Sequence, residues 1–251
     1  MEKKSKYRQF GLIGKDIEYS FSKAYFEKKF LNKNYTFFNY KNFDIKNISE
    51  VKKILKTKNI TGLNVTTPYK EKIIPYLNEL TETAQKIGAV NTIYFKKNKI
   101  IGDNTDVIGF EYALKNFMGE FSKNALVLGT GGASKAVEFV LRKNSVEMIF
   151  VSRNPSKNEL HYEALNENLI NNYPLIINCT PLGTFPKTES SPNIPYNFIN
   201  SKNYLFDLIY NPKVTTFMKR GLDNGAKVSN GYNMLTQQAE ASWKLWKQLR
   251  I

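Results

Sequence analysis

The sequence predicts an α/β protein in which an N-terminal α/β domain is followed by a second, doubly wound α/β domain. Two observations predict this. Short apolar runs typical of buried strands alternate with stretches of helical periodicity along most of the 251 residues. The alternation starts again at Asn124, and there a cluster of glycines separates a strand from a helix. We therefore expect two sheets, each with helices of its own.

The first half of the chain predicts βαβ units. Strands are predicted over 7–13, 35–39 and 60–65, and helices near 23–30 and 48–55. Asn47 with Glu50 three residues later is similar to a capping box, which places the start of the second helix near residue 48.

The second half predicts further strands and a helix at each end. The strands are predicted over 124–128, 146–151, 175–178, 204–208 and 227–229. A helix over 107–118, followed by residues 119–123, is the predicted hinge, and a final helix over 234–249 carries Leu235, Trp243 and Trp246 for packing. The predicted domains are residues 1–106, joined by the C-terminal helix of 231–251, and residues 107–230.

Composition limits the chemistry that is available. No apolar run approaches the length of a membrane span, and residues 1–9 are too polar for a secretory signal, so we expect a cytoplasmic protein without membrane contact. Cys179 is the only cysteine and His161 the only histidine. These counts exclude intramolecular disulfides and make a metal site or a histidine-based triad unexpected. Acid and base chemistry then falls to Lys, Asp, Glu or Tyr.

The formal charge of +15 lies mostly at the two ends of the chain. The lysines alternate there with Asn, Ile and acidic residues and form no dense basic block, so we expect a solvated surface and no specific nucleic-acid binding. Weak, salt-sensitive binding of DNA or RNA is the rival interpretation. The same charge provides a modest attraction for an anionic small substrate.

The glycine cluster runs Gly129-Thr130-Gly131-Gly132-Ala133 between an apolar strand and a helical stretch. Bare backbone at that turn leaves room for a pyrophosphate beside the helix N-terminus, as in Rossmann domains. Ser134 stands where the dinucleotide fingerprint usually has a third Gly or Ala. A tight turn without a ligand also uses glycine, so the next strand has to decide.

That next strand ends in Ser152-Arg153-Asn154, where an NAD site would have an acidic residue for the ribose 2′-hydroxyl. The planar guanidinium of Arg153, with Lys157 one turn further, suits a 2′-phosphate better than a hydroxyl. We therefore predict NADP rather than NAD. The alternative is that Arg153 merely ends a strand in solvent.

Polar clusters at strand ends in the first domain are candidates for substrate binding, because open α/β sheets bind ligands at the carboxyl ends of their strands and in the cleft between domains. Ser20 and Ser22 would project from one side of an extended chain and could hold a carboxylate. The alternative is that Ser22 caps the following helix.

A second cluster contains Asn64 and Thr66, which share a face of the strand, and Pro68, which is predicted to start a helix. Lys70 would then lie in the first turn, where the helix dipole disfavours a cation and so favours proton exchange. A third cluster contains Asp106 at the start of a helix. The alternatives are that Lys70 is a solvated lysine and that Asp106 is an N-cap. Because no histidine lies in these motifs, Lys70 and Asp106 are the candidate acid/base pair.

Taken in order, these motifs resemble the shikimate dehydrogenase family over nearly the whole chain. The motifs that carry the resemblance lie at residues 11–14, 20–22, 64–70, 88–92, 102–106, 129–133, 178–183, 207–212, 231–235 and 237–238. The resemblance implies an enzyme that reversibly reduces 3-dehydroshikimate to shikimate with NADPH, a step in aromatic amino acid biosynthesis. It also implies that the last helix returns to the substrate domain and that domain motion gates access; it leaves a homodimer open.

The resemblance also assigns residues. Lys70 would exchange the proton while Asp106 orients substrate and lysine. Ser20 and Ser22 would hold the substrate carboxylate. The rest of the substrate pocket would comprise Asn64, Thr66, Asn91, Tyr210 and Gln238. The cofactor residues would be Gly129, Thr130, Gly131, Gly132, Ala133, Ser152, Arg153, Asn154, Lys157 and Gly231, with Glu82 and Leu208 as weaker correspondences.

Three positions depart from the family pattern. Tyr19 stands in place of the usual His, Lys23 in place of the usual Pro, and Ser-Arg-Asn at 152–154 in place of Asn-Arg-Thr. None removes a serine hydroxyl or the arginine, and Lys23 could add attraction for the anion. Two alternatives stay open: a quinate/shikimate dual-specificity dehydrogenase of the same fold, and a non-catalytic NADP-binding sensor.

Overall fold

The computed structural model describes residues 7–18, 20–121 and 124–247. The chain divides into two compact units. We call them the N-terminal unit, which comprises residues up to 105 together with the chain from 239 onward, and the central unit, which comprises residues 106–238. Each unit is built on its own six-stranded sheet.

The N-terminal unit contains a mixed sheet. Its elements are β1 (Arg8–Gly14), α1 (Phe21–Asn32), β2 (Phe38–Asp44), α2 (Val51–Leu55), β3 (Ile60–Val65), β4 (Glu79–Leu80), α3 (Glu82–Ile87), β5 (Thr92–Lys96) and β6 (Lys99–Asp103), with 3-10 turns at Ile48–Glu50 and Ile74–Tyr76. The strand order is β2-β1-β3-β5-β6-β4. Strands β1, β2 and β3 are parallel, whereas β5 is antiparallel to both β3 and β6.

The sequence predicted the positions of β1 and β3 to within one residue. It predicted only βαβ units, whose strands are parallel, and this is wrong for β5, which is antiparallel to its neighbours. Lys97 and Asn98 have φ of 49° and 61°, which closes β5 and β6 into a hairpin. The strand predicted at 35–39 is found, but shifted to Phe38–Asp44, because Asn34 has φ of 55° and the Phe38 N–H bonds the carbonyl of Tyr35 in a turn. Strand β2 can therefore begin only at Phe38.

The predicted helix at 48–55 is split into a 3-10 turn and the short helix α2. The predicted cap before it is confirmed in part: the Glu50 carboxylate accepts the backbone N–H of Asn47 at 2.9 Å. This contact fixes the start of the segment at the predicted position.

An aromatic core fills one face of the N-terminal unit's sheet. Phe10 of β1 and Phe26 of α1 pack against Trp246, with ring centroids 5.2 and 5.3 Å away. Trp246 is fully buried, and its indole N–H donates to the carbonyl of Ile93 at 3.0 Å. Gly62 makes room for it, since a Cβ at that position would lie 2.3 Å from Trp246 Nε1.

The central unit contains a fully parallel sheet. Its elements are α4 (Asp106–Met118), β7 (Ala125–Leu128), α5 (Gly132–Lys143), β8 (Met148–Ser152), β9 (Glu159–His161), α6 (Glu167–Asn172), β10 (Leu175–Asn178), β11 (Tyr204–Asp207), α7 (Thr216–Asp223), β12 (Lys227–Ser229) and the first part of α8 (Tyr232–Lys247), whose residues from 239 onward belong to the N-terminal unit. The order β12-β11-β10-β7-β8-β9 is doubly wound, and the winding reverses between β7 and β10. This confirms the predicted fold of the second half.

Most predicted elements of the second half are found within a few residues. Strand β8 starts at Met148 rather than at 146, because Ser145 has φ of 56° and the Val146 N–H closes the end of α5 on Leu141. Leu235 is half-buried, whereas Trp243 and Trp246 enter the core as predicted.

Some predictions fall partly on residues outside the described chain. Residues 122 and 123 of the predicted hinge and residues 248 and 249 of the last helix lie there, as does Tyr19. Within the described ranges, no helix is long and apolar enough to cross a membrane.

Candidate active site

The two serines of the first motif lie at the N-terminus of α1. Ser20 is extended and caps the helix, and its Oγ accepts the backbone N–H of Ser22 at 3.2 Å. The expectation that both serines lie in extended chain is wrong, and so is the alternative that Ser22 is the cap. Ser22 lies inside the first helical turn and is 9% exposed, whereas Ser20 is half-buried. The Lys23 ammonium lies 3.8 Å from Glu27 on the exposed side of the helix.

Asn64 lies near the end of β3 in a buried polar network. Its Oδ1 accepts the hydroxyl of Tyr40 at 2.8 Å. Its Nδ2 lies 3.3 Å from the carbonyl oxygen of Asn91 and 3.0 Å from Ser242 Oγ on α8. These contacts fix the amide orientation, because a backbone carbonyl can only accept.

Asn91 continues the same network. Its Oδ1 accepts the backbone N–H of Thr105 at 2.7 Å and lies 3.0 Å from Thr92 Oγ1. The hydroxyls of Thr92, Thr105 and Ser242 lie 2.7–3.1 Å from one another. All of these residues are buried, so the network holds β3, β5 and the last helix in one geometry.

Lys70 follows β3 in a turn and not in a helix. The segment from Thr67 contains a cis Thr67-Pro68 bond, and the next regular element is the 3-10 turn at Ile74. The predicted helix at Pro68 is therefore wrong, and the helix-dipole argument for Lys70 no longer applies. The backbone carbonyl of Lys70 instead accepts the N–H of Val90 at 2.8 Å, which ties it to the motif that contains Asn91.

Two other predicted residues of the N-terminal unit lie apart from the buried network. Thr66 is half-buried just after β3, and Gly14 leaves space beside it, since a Cβ there would lie 2.6 Å from the Thr66 methyl group. Glu82 is exposed in the first turn of α3 and bonds Lys86 at 2.7 Å, and this hydrogen bond lowers the pKa of its carboxyl.

The glycine turn of the central unit lies at the point where the winding of its sheet reverses. Gly129 has φ of 94°, which favours glycine, and a Cβ there would lie 2.9 Å from the Thr180 methyl group. Gly131 caps α5, and a Cβ on it would meet nothing within 4 Å, so its backbone faces open space. Ser134 turns inward, with its Oγ donating to the carbonyl of Gly131 at 2.7 Å. The turn fits a pyrophosphate at the N-terminus of α5.

The end of β8 presents cations to solvent. Arg153 and Lys157 are both exposed, and the backbone N–H of Asn154 bonds the Ser152 hydroxyl at 3.3 Å. Residues 152–157 contain no acidic side chain. The donor set fits a phosphate monoester and includes no carboxylate for a ribose diol.

A buried carboxylate organises the neighbouring strand ends. Asp207 at the end of β11 accepts hydrogen bonds from Asn178 Nδ2 at 3.0 Å, from the Ile209 N–H at 3.0 Å and from the Thr215 hydroxyl at 2.6 Å. Burial raises its pKa to about 6, and the three hydrogen bonds oppose that rise. Asn178 in turn accepts the Thr180 hydroxyl at 2.7 Å, so this chain of contacts reaches the residue that packs on Gly129.

The remaining predicted residues of the central unit lie around α4 and the start of α8. Helix α4 begins at Asp106, which is 6% exposed. Gln238 is buried and donates to the carbonyl of Leu235 at 2.9 Å. Gly231 must be glycine, because a Cβ would lie 2.0 Å from the carbonyl oxygen of Leu208. Tyr210 is half-buried shortly after β11.

Sequence reasoning gave no role to six residues that hold the candidates in place, although four of them lie in the motifs that carry the family resemblance. They are Tyr40, Thr92, Thr105, Asn178, Asp207 and Ser242. Asn178 and Asp207 could have been found, because each ends an apolar strand of the same parallel sheet. Tyr40 and Ser242 gave no signal, since only the fold brings them to Asn64.

A six-stranded parallel sheet with a glycine turn at its switch point defines the central unit as a dinucleotide-binding domain. Within the described residues, no group of His, Cys, Asp or Glu is arranged to hold a metal ion. The chain therefore falls in the class of α/β proteins that contain a dinucleotide-binding domain.

Comparison with known proteins identifies the family. Residues 12–93 match the model of the shikimate dehydrogenase substrate binding domain. The chain is 38% identical to the shikimate dehydrogenase (NADP(+)) of Methanosphaera stadtmanae, over 94% of this chain and 90% of the relative. The chain belongs to the shikimate dehydrogenase family, as its motifs predicted.

Solved structures agree with this assignment. The shikimate dehydrogenase of Aquifex aeolicus superposes with a TM-score of 0.87 at 33% identity, covering 99% of this chain and 95% of that one. The shikimate 5-dehydrogenase of Thermus thermophilus, in complex with NADP(H) and shikimate, has a TM-score of 0.82 at 29% identity and covers 96% and 94% of the two chains.

Proposed function

We propose that this protein is an NADP-dependent oxidoreductase that reversibly reduces 3-dehydroshikimate to shikimate. The observation that carries the proposal is full-length similarity to shikimate dehydrogenases together with a glycine turn and a basic strand end that fit NADP. The Thermus relative binds both NADP(H) and shikimate. In this role the protein serves aromatic amino acid biosynthesis.

The central unit would hold the cofactor. NADPH, when bound, supplies the hydride for the ketone carbon. Residues 129–133 would hold the pyrophosphate with backbone N–H groups, and Arg153 and Lys157 would bind the 2′-phosphate, with Ser152 and Asn154 beside them. Leu208, Gly231 and, as a weaker candidate, Glu82 would complete the site.

The N-terminal unit would supply most contacts to the substrate. Ser20 and Ser22 lie within one helical turn and would hold the carboxylate. Asn64, Thr66 and Asn91 would meet the ring hydroxyls, although Asn64 and Asn91 are also tied into the buried network. Tyr210 and Gln238 would complete the pocket. A net charge of +15 favours an anionic substrate.

Lys70 would provide the proton. Negative charge develops on the carbonyl oxygen as its carbon is reduced, and an ammonium group both stabilises that charge and protonates the oxygen. Asp106 would orient the lysine and a substrate hydroxyl. In the reverse direction Lys70 would accept the proton as a neutral amine.

The test is to follow nicotinamide reduction by the purified protein with shikimate and with quinate, each with NADP and with NAD. We expect turnover with shikimate and NADP far above the other three combinations. Comparable turnover of quinate would make it a dual-specificity enzyme. Tight NADP binding without turnover of either acid would make it a sensor and overturn the proposal.

The cofactor preference has its own test. Arg153→Ala should raise the KM for NADP far more than the KM for NAD, because only NADP carries the 2′-phosphate. Arg142→Ala is the matched control, since Arg142 is an exposed arginine that bonds Glu138 on α5. An equal effect on both cofactors would refute the role of Arg153.

We further propose that residues 1–106 with 231–251 form the substrate domain and that residues 107–230 form the cofactor domain. The separate sheets of the two units support this division, although the units themselves meet at 105/106 and 238/239. The biosynthetic role favours a cytoplasmic location. A homodimer would be detected by sedimentation equilibrium of the same preparation.

A further inference from the structure

Asp207 and Asn178 are buried partners at the ends of two neighbouring strands. They lie opposite each other in the register of β11 and β10, and Asn178 Nδ2 donates to Asp207 Oδ1 at 3.0 Å. The same oxygen accepts the backbone N–H of Ile209 at 3.0 Å. Because that N–H can only donate, Oδ1 is held as an acceptor, and Asn178 has to turn its NH2 group toward it.

The amide orientation of Asn178 in turn fixes the side chain of Thr180. Asn178 Oδ1 accepts both the backbone N–H of Thr180 at 3.0 Å and its hydroxyl at 2.7 Å. With the amide turned around, two donors would meet at that N–H. The Thr180 Oγ1 also accepts the backbone N–H of Leu182 at 3.3 Å. These contacts hold the Thr180 hydroxyl on one side and direct its methyl group to the other.

The Thr180 methyl group packs on the glycine turn. A Cβ at Gly129 would lie 2.9 Å from it, and Gly129 is itself anchored to β8 by its N–H, which bonds the carbonyl of Val151 at 2.8 Å. Gly129 follows β7 and Thr180 follows β10, and these two strands are neighbours where the winding of the sheet reverses. Doubly wound sheets bind a dinucleotide in the crevice at this point. Thr180 therefore lies at that crevice, in contact with the turn that fits the pyrophosphate.

We propose that Asp207 is a positioning residue for the dinucleotide, because through Asn178 it holds Thr180 against Gly129 and keeps the crevice in its binding shape. This inference rests on the proposed function and extends it to a fully buried residue that contacts neither cofactor nor substrate. Without this hold, only a fraction of the unbound protein is competent to bind, and the apparent dissociation constant rises in inverse proportion to that fraction. The bound complex is the same, so the rate of the chemical step is kept.

Asp207→Ala tests this, because it removes the acceptor for Asn178 Nδ2. We expect the dissociation constants of NADPH and NADH, measured by fluorescence titration, to rise by the same factor of about five, the value of one neutral hydrogen bond. The factor is shared because the 2′-phosphate is not involved, and kcat should be nearly unchanged. Asp207→Asn should restore both affinities, since its Oδ1 can still accept from Asn178. Wild-type affinities in Asp207→Ala, or an equal loss in Asp207→Asn, would overturn the proposal.

Thr215→Val is the matched control for a general loss of stability. It removes the hydroxyl that donates to Asp207 Oδ2 at 2.6 Å and caps α7 by accepting the N–H of Met218 at 3.2 Å, whereas the bond from Asn178 to Asp207 remains. Thr215→Val should lower the free energy of unfolding and leave the affinity for NADPH nearly unchanged. A loss of affinity as large as in Asp207→Ala would overturn the proposal.

Thr180→Val serves as a second variant where Asp207→Ala does not fold. It keeps a methyl group beside Gly129 and removes the hydroxyl that bonds Asn178. The dissociation constants of NADPH and NADH should again rise by a common factor, and unchanged values would overturn the proposal. A wild-type protein that binds no NADPH would overturn the proposed function instead.

Discussion

The residues of the candidate site fall into two groups. One group would contact a ligand, and the other holds the first group in position. Lys70 is tied through its backbone to Val90, which fixes the backbone from which its side chain extends. Asp207 is the opposite case, because it accepts three hydrogen bonds from groups within the protein. We therefore expect different outcomes when Lys70 and Asp207 are substituted.

Lys70→Ala should lower kcat about 100-fold or more, because it removes the proposed proton donor for the ketone oxygen. The dissociation constant for NADP, measured by fluorescence titration, should change little. Lys72→Ala is the matched control, since Lys72 is an exposed lysine two residues further along the same turn. A Lys70→Ala enzyme with nearly normal turnover would return Lys70 to the status of a solvated lysine.

Asp207 predicts a pH dependence of stability. Its pKa is raised from 3.8 to about 6 by burial, so between these values the folded protein holds a proton that the unfolded chain has lost. Stability from this group is present below pH 3.8 and is lost as the pH rises through about 6. From below pH 3.8 to well above pH 6, this group lowers the free energy of unfolding by about 3 kcal/mol.

Asp207→Asn should remove this dependence. The Oδ1 of an asparagine at this position can still accept the hydrogen bonds from Asn178 and Ile209. Its Nδ2 can donate to Thr215 Oγ1 in place of the bond that Oδ2 accepts in the wild type. Urea unfolding across the range from pH 4 to pH 7 would measure the slope in both proteins. Asp223→Asn, at an exposed carboxyl on α7, is the control that should leave it unchanged. If the free energy of unfolding still depends on pH in Asp207→Asn, other groups cause that dependence.

At the level of elements, β3 and α8 can pack closely because residue 62 is a glycine. Gly62→Ala should lower the free energy of unfolding by about 1–3 kcal/mol, because its Cβ would overlap the Trp246 indole. Urea unfolding would measure this. In a Trp246→Leu background the alanine should be tolerated better. A loss of the same size in both backgrounds would place the strain elsewhere.

The elements also show where sequence reasoning works. Strands β3, β10 and β12 were predicted to the residue, because each lies between clear turn signals. The glycine turn followed from the same logic. Strand β5 was missed, since its reversal depends on a hairpin whose two central residues, Lys97 and Asn98, are not glycines.

The sequence predicted the candidate residues of the site, but not the contacts that hold them in position. Residues such as Ser20, Lys70 and Arg153 lie in motifs whose spacing can be read from the chain. The contacts beneath them join residues far apart in sequence, as Asn64 and Ser242 are. No local pattern encodes such a contact, because it exists only once β3 and α8 have packed.

At the scale of the whole molecule, α8 belongs to both units, since residues 232–238 count with the central unit and 239–247 with the N-terminal unit. We predict that the two units unfold together, because a continuous helix of this kind cannot melt in one unit without losing hydrogen bonds in the other. Fluorescence of Trp243 and Trp246, the only tryptophans, reports on the N-terminal unit, whereas far-UV circular dichroism reports on both. Coincident urea transitions are expected, and two separated midpoints would show independent units.

The position of those tryptophans has a consequence for biosynthesis on the ribosome. Proteins of several domains usually complete the first-translated domain before the rest emerges. Here Phe10 and Phe26 are made before the central unit, whereas Trp246, whose ring packs on both, is made only after it. The aromatic face of the nascent N-terminal unit therefore stays uncovered while the central unit is made, and we expect chaperone binding during translation to fall once α8 has emerged.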